Sequence, residues 1–88
     1  MPYIEEKDRK FYTEPLDSVT RILGAYSWAD GHVNYVITNI VLAWWRSAPR
    51  YLTIARIMGC LICVMFEFYR RVAAPYENQK IRDNGDVY

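Results

Sequence analysis

The chain has 88 residues, 52% of them hydrophobic and 16% aromatic, with a formal net charge of +1. That length supports one small domain at most, and the near-neutral charge removes any general electrostatic case for nucleic acid as a partner. Two cysteines exclude a disulfide framework, and a charged first stretch with no apolar run excludes a secretory leader, so the expected setting is soluble and cytoplasmic.

A compact chain of this size buries only about 60–65% of its unfolded surface. Eight tyrosines and three tryptophans are more bulky side chain than one small core needs, and such residues are enriched at contact hot spots. Charge is also uneven. Residues 1–31 carry a net −2 and the tail from Pro75 −1, whereas residues 32–74 carry +4 from Arg46, Arg50, Arg56, Arg70 and Arg71 against Glu67 alone. The hydrophobic middle is therefore the basic part. All its cations are arginines, whose planar fork suits carboxylates and phosphates.

Residues 1–13 combine an EEKDRK charge cluster with Tyr3, Ile4, Phe11 and Tyr12. Without a sustained helical apolar face they read as an extended arm that docks its aromatics on the body or on a neighbour. A short first helix is expected from Glu14-Pro15, with proline at the first helical position, Asp17 in the first turn, and Leu16, Val19, Ile22 and Leu23 on one face. Asp30-Gly31 signals a turn, with Asp30 as an N-cap. The second helix is expected over 32–47, with Val33, Val36, Ile37, Ile40 and Trp44 as its buried stripe. Pro49 enforces a break, and the short connection predicts an antiparallel hairpin with the third helix.

The third helix is expected over 51–74, ended by Pro75, with the tail over 75–88. It is apolar on almost every side, and too little chain surrounds it to cover it, which predicts self-association. A membrane span is set aside because Arg56 and Glu67 interrupt the apolar run. The few polar positions, Arg56, Cys60, Cys63, Glu67 and Arg70, recur at i+4, i+3, i+4 and i+3 and form one narrow stripe. Gly59, mid-helix, suggests close approach of another helix. The fold class is thus all-α, a small helical domain with a long central third helix, homo-oligomeric.

Cys60 and Cys63 match the letters of a redox motif, but mid-helix, among apolar residues, they read as core packing. One histidine and two cysteines fall short of a zinc set. The isolated glycines form no phosphate loop, and no serine sits in a nucleophile elbow, so no catalytic residue, metal or cofactor is assigned. What remains is a ligand-binding constellation: Glu67, Tyr69, Arg70, Arg71 and Tyr76, with Asn34, Tyr35 and Thr38 from the second helix and Arg56. Arginines grip phosphate while an aromatic ring stacks on a base.

Asn34-Tyr35-Val36-Ile37-Thr38, Gly59, Glu67-Phe68-Tyr69-Arg70-Arg71-Val72, Ala74-Pro75-Tyr76-Glu77, Lys80-Ile81 and Asn84-Gly85-Asp86-Val87-Tyr88, together with Met1-Pro2-Tyr3-Ile4, resemble a family of small uncharacterised phage and bacterial proteins. The resemblance implies a phage accessory protein in an infected bacterial host and transfers no functional residue. A looser architectural likeness is to phage sponge proteins that sequester nucleotide immune signals. The resulting expectation is a non-enzymatic homo-oligomer that sequesters a cyclic nucleotide or ADP-ribose-derived signal. The alternatives are an interaction module inhibiting a host protein and a small nucleotide hydrolase.

Overall fold

A computed structural model describes residues 3–88, which are all-helical. Helix α1 is Glu6–Ala25, α2 is Asp30–Ser47, α3 is Tyr51–Phe68, a π-helical turn covers Tyr69–Ala73, and α4 is Ala74–Asn84. The π turn joins α3 to α4 without a break in helical structure, so Tyr51–Asn84 is one continuous helix of 34 residues.

Two expected boundaries change. The N-terminal arm is extended only up to Glu5; Met1 and Pro2 lie outside the described residues, and from Glu6 the chain is already helical. Glu6 and Asp8 favour the positive end of the helix dipole, and Glu5/Arg9 and Glu6/Lys10 have the i,i+4 spacing that supports an isolated helix. Pro15 therefore lies inside α1 rather than at its start, and it removes one backbone donor there. The tail also differs, since Pro75 does not stop the third helix. The Ala74 N–H donates to the Tyr69 carbonyl five residues back, and this wider turn makes room for the proline ring, which then occupies the first turn of α4. The rod ends at Gly85, whose φ of 86° is the left-handed region that favours glycine. Beyond it Val87 and Tyr88 are fully exposed, so the tail does not dock them.

The α1–α2 link is a Schellman-type cap. The Ser27 N–H donates to Gly24 O at 3.0 Å and the Trp28 N–H to Leu23 O at 2.9 Å, with both Ser27 and Trp28 at positive φ. A left-handed tryptophan is a strained residue, held by these two bonds and by Tyr26, whose ring stacks on His32 at 4.2 Å. Asp30 is the first residue of α2, not its cap; Ala29 takes the cap position and makes no side-chain bond. The α2–α3 link is closed by Thr53, whose buried hydroxyl donates to Ala48 O at 2.5 Å.

Packing between helices is sparse. Among the described residues Leu23, Thr53 and Ile57 are the buried ones, and the expected stripe of α2 is at best half-buried, with Ile37 and Ile40 exposed. The accessible surface is 8007 Å², against about 5,400 Å² for a compact protein of this mass. The radius of gyration is 16.8 Å, where a compact chain of this length has about 12 Å. Both measures describe helices splayed apart, with Phe11, Leu16, Tyr35, Val64, Phe66 and Phe68 facing outward.

Replacing Thr53 by valine leaves the half-buried Ala48 carbonyl without its donor, and should lower stability by about 1 kcal/mol in chemical unfolding at fixed protein concentration. Ser27→Gly should raise it by up to about 1 kcal/mol, because glycine occupies the left-handed position without the Cβ penalty.

Candidate functional site

The Glu67 carboxylate at the end of α3 gathers three partners. Arg70 places Nε 3.0 Å from Oε1 and a second guanidinium nitrogen 3.0 Å from Oε2, a bidentate fork at i,i+3. Arg71 reaches Oε2 with its Nε at 3.1 Å, from i+4. The third partner comes from the far end of the chain: the Tyr3 hydroxyl donates to Oε2 at 2.6 Å. Arg71 also donates to the Tyr3 oxygen at 3.4 Å, and its guanidinium carbon lies 6.0 Å from the centre of the Tyr3 ring. The short segment before α1 is thereby fastened to the end of α3.

These bonds stabilise the charged carboxylate. Arg70 foremost, then the Tyr3 hydroxyl and Arg71, hold the Glu67 pKa down from 4.5 to about 2. One carboxylate shared by two guanidiniums leaves the cluster with a net positive charge, and both arginine side chains remain more than half exposed.

Beside the cluster is an open cleft of about 480 Å³, walled by Tyr3 on one side and by Gly59, Cys60, Cys63, Val64, Phe66 and Glu67 on the other. It is apolar except at its Glu67 end. Cys60 and Cys63 are free and exposed there, which corrects their assignment to core packing: the surrounding side chains of α3 are themselves uncovered. Among the described residues no three of His, Cys, Asp or Glu converge as a metal site would require.

The nine candidate ligand residues fall into separate groups. Glu67, Arg70 and Arg71 form the cluster just described. Tyr69 occupies the same π turn and Tyr76 follows on α4, both more than half exposed, with the Lys80 ammonium 5.5 Å from the Tyr76 ring centre. On α2 the Thr38 hydroxyl donates to Asn34 Oδ1 at 3.1 Å, and the Tyr35 carbonyl accepts from Asn39 at 2.8 Å, so these polar groups close on their own helix. No hydrogen bond joins them to the Glu67 cluster among the described residues. Arg56 stands eleven positions before Glu67 on α3, exposed, about 16 Å away along the axis. Tyr3 was not among the ligand candidates. Its sequence signal is only that of a docking aromatic, since no local spacing links residue 3 to residue 67.

A group whose pKa is depressed on folding contributes stability above its unfolded value and loses it as pH falls through the folded value. The Tyr3–Glu67 attachment should therefore persist from neutral pH to below pH 4 and be lost near pH 2. Carboxyl-carbon NMR of Glu67 should titrate near 2 and move up toward 4.5 in Arg70→Ala.

No curated protein and no solved structure matches the chain significantly. A family model does, over residues 1–87, nearly the whole sequence. The chain belongs to the family described as a domain of unknown function, DUF6899.

Proposed function

We propose that this protein is a non-enzymatic binding protein for a nucleotide-like anion, acting as a homo-oligomer. The observation that carries the reading is the pairing of Arg70 and Arg71 on the single Glu67 carboxylate, beside an open cleft walled by Tyr3. Two guanidiniums with unused donors can hold a phosphate, the positive charge is not cancelled, and the exposed rings of Tyr69 and Tyr76 are close in sequence for stacking on a base. The Tyr3 hydroxyl has a carboxylate beside it, but Glu67, with its pKa held down to about 2, is a weak base, so sequestration suits the cluster better than turnover. A phage protein of this kind would remove a cyclic nucleotide or ADP-ribose-derived immune signal from the cytoplasm of an infected bacterium. The homo-oligomer would cover the apolar faces that a single chain leaves in water.

A second reading, an interaction module that inhibits a host protein, draws on the exposed Phe11, Tyr12 and Leu16 of α1. Calorimetric titration with ADP-ribose and cyclic di-AMP separates the two. The sponge reading expects binding of one of them and recovery of the intact nucleotide after heat denaturation, whereas hydrolysis would return product. Arg70→Ala combined with Arg71→Ala should abolish binding and leave the light-scattering mass unchanged. Unchanged affinity in that variant sinks the site assignment, and a co-purifying host protein with no nucleotide binding favours the second reading.

A further inference from the structure

Arg56, Cys60, Cys63 and Glu67 follow one another at four, three and four residues on α3, so all four lie within a sector of roughly 60°. The spacing is symmetric and the charges are opposite: Arg56 and Glu67 stand equally far on either side of the midpoint between the two cysteines. A second copy turned about a two-fold axis through that midpoint lays its α3 antiparallel to the first. Cys60 then faces the partner's Cys63 and Arg56 faces the partner's Glu67, each twice.

Among the described residues Tyr3 bonds Glu67 at one end of this face and stands across the open cleft from Gly59, Cys60 and Cys63, which stay exposed. Arg56 is exposed and takes part in no hydrogen bond or ion pair among the described residues. A Cβ placed on Gly59 would meet nothing within 4 Å, so the close approach that a mid-helix glycine permits is unused. The area agrees as well. The chain exposes roughly 2,600 Å² beyond a compact monomer, and obligate homodimers bury about 1,000–2,500 Å² per partner.

The charge count then bears on the ligand. Glu67 already serves Arg70 and Arg71, and Arg56 arriving from the other copy brings three guanidiniums to one carboxylate, an excess of two positive charges. A diphosphate supplies the matching negative charge. Within one chain Arg56 and Arg70 are fourteen residues apart, about 21 Å along the helix, beyond the span of one diphosphate group. Building on the nucleotide-binding reading, we propose that the chain forms a two-fold antiparallel dimer through this stripe. Each of its two sites for a diphosphate-bearing nucleotide is completed across the interface, by Arg56 of one copy and by Arg70 and Arg71 of the other.

Two measurements test this separately. For the pairing, copper-phenanthroline oxidation of the purified protein should give a disulfide-linked dimer. Cys60→Ser and Cys63→Ser alone should cross-link poorly, and in their co-expressed mixture up to about half of the dimers, the mixed ones, should cross-link. Failure of the mixture, a monomer by light scattering, or a protein recovered only with membranes and detergent overturns the pairing. For the composite site, calorimetry with ADP-ribose should show at least a tenfold loss of affinity in Arg56→Ala and in the Arg70→Ala, Arg71→Ala double variant. Co-expression of those two variants should restore about a quarter of the wild-type sites, because half of randomly formed dimers are mixed and each holds one intact site of two. No restoration overturns the composite site. Efficient Cys60–Cys63 cross-linking with no ADP-ribose binding by the wild type overturns the nucleotide reading and leaves the pairing in place.

Discussion

The governing constraint is that this chain satisfies its backbone locally but cannot satisfy its side chains alone. Every long element is a helix, so N–H and C=O groups pair within it, but helices of 18–20 residues are marginal in water unless an apolar face is covered. Among the described residues only Leu23, Thr53 and Ile57 are removed from solvent. The cohesion between helices therefore rests on a few discrete fastenings: the Schellman-type cap at Ser27 and Trp28, the Thr53 hydroxyl on Ala48, and Tyr3 on Glu67. Each fixes a connection or an end. None supplies a core, and the hydrophobic surface that would supply one faces outward.

That arrangement explains why the polar chemistry concentrates where it does. A half-buried carboxylate with two largely exposed guanidiniums adds little to stability, since exposed ion pairs contribute up to about 1 kcal/mol each. Its use is positional. It aligns two arginines in fixed orientations at the end of an apolar cleft and ties the start of the chain to that spot. The rod Tyr51–Asn84 has the length and composition of a helix able to cross a membrane, with 11% of its most apolar window buried. The charged residues of its α3 part, Arg56 and Glu67, lie on one stripe, so the remaining circumference of α3 is free to meet another apolar surface.

Much of this was legible in the sequence. Apolar periodicity and Pro49 located α2 and α3, and the scarcity of surrounding chain announced that α3 would be uncovered. The polar stripe of α3 and the Glu67–Arg70 contact follow from helical spacing alone. What escaped was non-local or depended on competition. The charge cluster before Phe11 concealed helical i,i+4 pairing because it lacks an apolar face, so α1 began eight residues earlier than Glu14 suggested. The cysteines looked like core because their neighbours are apolar, but burial requires something to pack against. Tyr3 joined the site through a contact spanning 64 positions, and no periodicity encodes that. Pro75 was read as a stop because the rule that proline breaks a helix assumes that the helix keeps its four-residue bonding.

The turn that relaxes that bonding at Tyr69–Ala73 has a geometric corollary. Taking up one extra residue within a helix advances the angular position of everything downstream by about 100°. The rod thus consists of two segments set out of phase. A partner following the face of α3 would meet a differently oriented surface on α4. Side chains on the two segments thus face different directions through a change of register of one residue.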